Sequence, residues 1–404
     1  MIKSLHIKNF KSLRDVRLNL GALNIFIGTN ASGKSNVFDA LRVLQGIGNG
    51  FTVSEIFDGK PKSATSEVWE SIRGGSSQAA FKGNSSEPVS FEIETAVPSK
   101  SSSETFKIGF STSFLKVADE QFGSEDEIYS SRENPNLSIS PVLTVRYMSG
   151  KRGNPPHIDC DASRPTLAQL AQGHHGQWNK KHIETGIRFA RSLANMQRID
   201  PIPSVLREYS QAQSVSRMGE RGENFAALIQ KICGDSAAKD AYLSWLKQLR
   251  PTEVDDVTTL AGAVGERMFA LKEGGREFPA PVLSDGTLRF AAIAAAFFQP
   301  DMPELLTIEE IENGIHASRL RLLVELLRGQ TQKQETQVIA TTHSPIVLAW
   351  LQEQEYAHTF FCKRDEETGE SKILPLTEIP HFNDIVKKQP IGDLFAEGWM
   401  EAAL

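Results

Sequence analysis

Cysteine is scarce in this chain, with three in 404 residues. Cys160, Cys233 and Cys362 lie too far apart to share a metal-ligand spacing or to build a disulfide framework. Their scarcity argues against a zinc ribbon and a stapled secreted module, and fits a reducing compartment in which the thiols are buried bystanders. Long apolar runs are missing as well, since none approaches the roughly 20 residues of a membrane span. The opening Met1-Ile2-Lys3-Ser4-Leu5-His6-Ile7 alternates like a strand and has no secretory apolar core. A cytoplasmic protein with no membrane partner is expected. There is no basic excess either: 44 Lys and Arg stand against 50 Asp and Glu, a net charge of -6. The whole molecule is therefore no polyelectrolyte partner for nucleic acid, although a local basic face would still hold phosphates, which leaves DNA binding open. What the chain does have is apolar content, 40%, ample for one large domain or two to three ordinary ones.

The chain is organised around Gly28-Thr29-Asn30-Ala31-Ser32-Gly33-Lys34-Ser35, a complete Walker A match. It follows the apolar run Leu23 to Ile27 and precedes the helical spacing Val37, Leu41, Leu44, so the strand and helix that the motif requires are both legible. Glycines let the backbone curl until several N–H groups face phosphate oxygens, and the new helix adds its positive end. The motif puts Lys34 on the β- and γ-phosphates and the Ser35 hydroxyl on Mg²⁺. ATP and Mg²⁺ are the expected cofactors.

Elsewhere the periodicity changes along the chain. Leu5 and Ile7, then Val16, Leu18 and Leu20, alternate as strands, with Asn9-Phe10-Lys11-Ser12 between them. Residues 51 to 88 are rich in Gly, Ser and Lys and carry only a short helical pattern near Val68 to Ile72. Val89, Phe91 and Ile93, then Phe106, Ile108 and Phe110, then Pro141 to Met148 predict an antiparallel meander. Ala118 to Asn136, with Asp119, Glu120, Glu125, Asp126 and Glu127, reads as a solvated loop. Helical stripes follow at Ile183, Ile187, Ala190 and Leu193, at Phe225, Leu228, Ile229 and Ile232, and at Tyr242, Leu246 and Leu249. His174, His175 and His182 precede them without a Cys or carboxylate at ligand spacing, so a surface turn is preferred to a zinc site. Gly274-Gly275 marks a hairpin, and Leu283-Ser284-Asp285-Gly286-Thr287 opens an Ala-rich helix to Phe298. Leu305 to Ile308 is a buried strand ending in Glu309-Glu310. The helix after it is placed to stop at Gly329, Val338 to Thr341 delivers Thr342-His343-Ser344, and a last hairpin turns at Thr368-Gly369.

Two acids after an apolar strand complete a nucleotide site. Glu309 stands where an acid would hold the Mg²⁺ shell, and Glu310 where one would polarise the attacking water, with the roles exchangeable on sequence alone. His343, at the tip of a neighbouring strand, is placed to sense the γ-phosphate.

The set Gly28 to Ser35 followed by Asn36, Leu283 to Thr287, Ile308-Glu309-Glu310-Ile311-Glu312-Asn313-Gly314-Ile315-His316 and Thr341 to Pro345, with Asn9 to Ser12, resembles the ABC-type ATPases of the SMC, RecF and OLD branch. Within it the nearest likeness is to small OLD-like ATPase subunits of prokaryotic anti-phage systems such as Septu and PARIS. The chain departs from the pattern in Ser-Asp-Gly for Ser-Gly-Gly and in Glu309 for Asp, and Gln78 is only a weak Q-loop candidate. The resemblance implies an α/β P-loop NTPase head of ABC type, a mixed sheet with flanking helices plus an antiparallel β-subdomain. Residues 1–150 and 266–404 would build it around a compact helical insertion, 151–265. Gly28, Asn30, Ala31, Ser32, Gly33, Lys34, Ser35 and Asn36 would bind the nucleotide, Ser35 and Glu309 the metal, and Lys34, Glu310 and His343 would be catalytic. The resemblance further implies that Ser284 and Gly286 act in trans on the γ-phosphate of a second copy, so that two heads close around ATP. Only about 60 residues follow His343, too few for the Toprim nuclease of OLD nucleases, so a nuclease or toxin effector would be a separate subunit. The rival is a RecF-like ATPase on DNA, and a transporter ATPase is third.

Overall fold

Apolar residues at every second position make Ile2–Phe10 and Leu13–Asn19 an antiparallel pair, with Leu5 opposite Leu18 and Ile7 opposite Val16. In the computed structural model this pair opens an eight-stranded sheet. Its order is Leu13–Asn19, Ile2–Phe10, Val89–Pro98, Ser103–Ser113, Lys116–Gly123, Glu127–Ser131, Val142–Tyr147 and His157–Asp161. The structure describes all residues except 61–68, 85, 99–102, 114, 125–126, 132–141, 149–153, 174–177, 212–214, 250–253 and 334–335. The chain folds as two compact units. The first comprises Met1–Gly21, Gly28–Met196 and Phe361–Leu374, and the second Ala22–Ile27, Gln197–Phe360 and Pro375–Leu404.

In the first unit the antiparallel sheet carries the helices Lys34–Gly48 and Lys180–Ala194, and Phe189 of the latter packs 4.9 Å from the Phe122 ring. The loop expected at Ala118 to Asn136 is instead two strands, Lys116–Gly123 and Glu127–Ser131. Ala118, Glu120 and Phe122 all face inward, an apolar alternation with one acid set in it. The acid is tolerated because three donors meet it: Tyr129 Oη at 2.6 Å, the Thr166 N–H at 2.6 Å and the Leu167 N–H at 2.9 Å. Glu125, Asp126 and residues 132–136 lie outside the described residues, as do Val68, His174 and His175. Trp69 to Ile72 form no helix. The helix in that stretch is Val53–Asp58, started by the capping box Thr52 and Glu55.

A six-stranded sheet, whose central strands lie in the second unit, runs in the order Met196–Ile199, Leu305–Ile308, Gln337–Thr342, Leu23–Gly28, Thr359–Arg364 and Ser371–Pro375. Leu305–Ile308, Gln337–Thr342 and Leu23–Gly28 run parallel, with Ile308 beside Ala340 and Thr342 beside Ile27, so all three end at one edge. Buried on both faces, they read as continuous apolar runs. The expected insertion at 151–265 is not one helical block. It contains His157–Asp161, Met196–Ile199 and Asp256–Ala261, and its helices to Ala194 belong to the first unit and the later ones to the second. Asp256–Ala261, Arg267–Glu273 and Arg276–Pro279 form a small antiparallel sheet with its turn at Gly274-Gly275. The Ala-rich helix is Asp285–Ala295. The helix Ala317–Gln332 runs through Gly329, because buried Leu326, Leu327, Gln330 and Thr331 hold its last turn inside. The architecture is that of an α/β P-loop NTPase with an added antiparallel sheet.

Candidate nucleotide site

In the first unit the phosphate loop leaves the strand at Gly28 and enters the helix at Lys34. Gly33 caps the helix at φ 104°, a conformation L side chains rarely adopt, and a Cβ there would overlap the Ser371 hydroxyl. Ser371 Oγ lies 2.6 Å from Ser12 Oγ, and Asn36 Nδ2 donates to that same Ser12 oxygen at 2.6 Å. The Asn9-to-Ser12 loop and the late hairpin Phe361–Leu374 thus brace the loop from behind. Lys34 is buried and donates to Gly28 O and Thr29 O, both at 2.8 Å, and to Ser32 Oγ at 3.3 Å. Its ammonium is curled over the loop that phosphate would fill, and Ser32 is buried while Asn30 and Ala31 are exposed. Cys362 sits beneath, its thiol pushed up to about 12 by burial and so uncharged, as expected of a bystander.

Asp39, one turn into the helix, takes both Lys11 and Arg73, and Arg73 also donates to Ser35 O at 2.6 Å. Burial, more than any neighbour, lowers the Lys11 pKa. Lys11, Ser12, Asn36, Arg73 and Gln78 line one open groove, which is where the Q-loop candidate lies.

The acids belong to the second unit. Glu309 follows the strand Leu305–Ile308, and Arg198 NH2 stands 3.2 Å from its Oε1. A carboxylate oxygen would suit Mg²⁺, a hard cation that takes oxygen ligands, and here that carboxylate is paired with the Arg198 guanidinium, a charge of the same sign as the metal. Glu310 has φ 45°, a strained value for a residue with a side chain. Three bonds hold it there: its N–H donates to Thr341 Oγ1 at 2.9 Å, Asn313 Nδ2 donates to its carboxylate, and Arg289 reaches its carbonyl at 3.2 Å. His343 Nε2 is 3.8 Å from Glu310 Oε1, and the His343 N–H donates to Glu312. Sequence reasoning missed Arg198 and Arg289, and gave no role to Glu312, which it quoted only as part of the Ile308 to His316 run. Arg289 had a signal, a basic residue set among the buried apolar residues of an Ala-rich helix.

Ser284 caps that helix, its Oγ accepting from the Thr287 N–H at 3.2 Å. A Cβ on Gly286 would overlap Gly314 O, so this glycine lets the helix start lie against the turn after Glu310. Ser284, Gly286, Thr287, His316 and Arg319 line a pocket on this unit, a helix N-terminus beside a guanidinium. The structure therefore gathers Gly28 to Asn36 in one unit, and Ser284, Gly286, Glu309, Glu310 and His343 in the other. Among the described residues no group of three or more His, Cys, Asp and Glu side chains is placed to hold a metal ion, and no helix is long and apolar enough to cross a membrane.

A family model described as "AAA ATPase domain" matches residues 1–132, and one described as "AAA domain, putative AbiEii toxin, Type IV TA system" matches residues 186–349. A Helicobacter pylori protein called an ATP/GTP phosphatase is 24% identical over 383 residues, covering 91% of this chain and 93% of its own. An uncharacterised Methanocaldococcus jannaschii protein is 41% identical over 54 residues, 13% of this chain and 25% of its own. The solved SMC head domain from Thermotoga maritima is similar at 14% identity and a TM-score of 0.44, covering 93% of this chain and 98% of that one. With a braced phosphate loop at one end of the chain, paired acids at a strand end near the other, and an AAA match over each, the protein is a P-loop ATPase.

Proposed function

We propose that this ATPase is a switch in which two copies close head to head around ATP and reopen on hydrolysis. In this reading Lys34 uncurls onto the β- and γ-phosphates, Ser35 and Glu309 hold Mg²⁺, Glu310 polarises the attacking water and His343 senses the γ-phosphate. The observation that carries the reading is the pocket at the Asp285–Ala295 helix start. It joins the helix N-terminus to the charge of Arg319, the Asp285 carboxylate in its lining being paired with Arg207, and Val282, two residues before Ser284 in the chain, is 65% exposed. An anion pocket on a unit that also exposes an apolar side chain suits a partner that brings a phosphate, and a second copy with its own loaded loop is such a partner. Bound ATP then belongs to the interface, and hydrolysis sets its lifetime.

The same reading makes the chain the regulator of a separate effector, nuclease or toxin, in prokaryotic anti-phage defence. The family description that names a toxin and a type IV toxin–antitoxin system supports that setting. The test uses Glu310→Gln, which keeps shape but withdraws the charge that activates water. With ATP it sediments as a dimer, and adding Ser284→Arg disperses it. A Ser284→Arg chain that hydrolyses ATP at the unmutated rate refutes the composite site and leaves a generic P-loop ATPase.

A further inference from the structure

Arg289 is 4% exposed in the middle of the helix that Ser284 begins, and it does not face solvent or substrate. One arm of its guanidinium donates to Asp200 Oδ1 at 3.0 Å and to Pro201 O at 2.8 Å. The other donates to Glu309 O at 2.9 Å and to Glu310 O at 3.2 Å. In a strand, successive carbonyls point to opposite sides, so one donor cannot reach two neighbours in sequence. Here it does, because Glu310 at φ 45° turns the second carbonyl back beside the first.

We propose that Arg289 is a positioning residue for hydrolysis: it pins the Glu309-Glu310 turn to the signature helix, so that Glu310 is aimed only while that helix is seated. The inference rests on the reading of Glu310 as the group that polarises water. Asp200 and Pro201 hold one arm, which fixes the plane of the guanidinium and so the direction in which the other arm donates. Ser284 is five residues before Arg289 on the same helix, about one and a half turns. A phosphate drawn into the Ser284 pocket pulls on the helix start, and Arg289 passes the displacement to the carbonyls on either side of the Glu310 Cα. Only a planar fork can serve both pairs of acceptors. Lysine, a point donor on a flexible stem, reaches one pair and lets the other go.

The test measures kcat, KM for ATP, nucleotide affinity and ATP-dependent sedimentation for Arg289→Lys, Arg289→Met and Asp200→Asn. The expected result is kcat at least about tenfold lower in both Arg289 variants and lowered to a lesser degree in Asp200→Asn, with nucleotide affinity and dimer formation within about twofold. Placed in the Glu310→Gln background, Arg289→Met lowers the residual rate no further, because the group it aims is already disabled. If Arg289→Met fails to fold, Arg289→Lys and Asp200→Asn carry the same comparison. Unmutated kcat in Arg289→Lys, or a full additional loss in the double variant, overturns the proposal alone. A Glu310→Gln chain that hydrolyses ATP at the unmutated rate overturns the base assignment beneath it, and the two failures are thereby told apart.

Discussion

Replacing Glu120 by alanine is expected to cost the first unit about 3 to 4 kcal/mol. The side chain is fully buried, and three donors converge on it: the Tyr129 hydroxyl and the first two N–H groups of the helix Thr166–Ala171. Alanine leaves all three without acceptors, and each stranded buried donor costs about 1 to 3 kcal/mol. Removing the acid also relieves its own desolvation, which keeps the sum near the lower end of that range. Glu120→Gln retains one acceptor oxygen and gains an amide that donates back to Tyr129, so its loss is about 1 kcal/mol. Urea unfolding read by tryptophan fluorescence measures both, since Trp178 stacks 4.6 Å from Tyr147 and meets Tyr129 edge-on at 5.5 Å. The pH dependence has a definite sign. Burial, outweighing its hydrogen bonds, holds the Glu120 carboxyl above the ordinary range, so the folded state keeps a proton that the unfolded chain, near about 4.3, gives up. Its contribution is complete below about pH 4.3 and is lost as pH rises through the folded value, and Glu120→Gln removes that part of the slope. A Glu120→Ala chain destabilised by less than about 1 kcal/mol, or a Glu120 contribution that grows with pH across this window, refutes the reasoning.

Lys34→Ala is expected to abolish ATP binding in calorimetry, since it removes the cation poised over the loop at Gly28 O and Thr29 O. Gly33→Ala should weaken nucleotide binding at least about tenfold; adding Ser371→Gly recovers only part of it, because the space returns while the backbone strain at φ 104° stays. Glu309→Ala should weaken Mg²⁺-dependent nucleotide binding more than Glu310→Gln does, read from titrations with and without Mg²⁺; the reverse order exchanges the two roles.

The parallel strands, the phosphate loop and the two hairpins were legible because each follows a strictly local rule, an apolar run closed by glycine or by an acid pair. Glu120 was not. In sequence it belongs to a charged cluster with Asp119, Glu125, Asp126 and Glu127, and only the three donors from Tyr129 and the Thr166–Ala171 helix reveal why Glu120 turns inward. Gly329 misled in the opposite way: glycine near a helix end suggests a stop, yet burial of Gln330 and Thr331 carries the helix past it. In the site, Lys34, Ser35, Glu309 and Glu310 announced themselves by motif. Arg198 and Arg289 matter through carbonyls and carboxylates that no spacing brings together, so their placement needed the fold.

The Ser12–Ser371 contact behind Gly33 has a consequence for how the protein is made. Residue 33 leaves the ribosome long before residue 371, and at about 5 to 20 residues per second the interval is roughly 17 to 70 s. Throughout that time a nascent chain carries the whole Walker A sequence without the hairpin that braces it. ATP capture is therefore deferred until residue 371 has emerged, and a fragment terminated before it would neither hold nucleotide nor compete for it with chains that carry the brace.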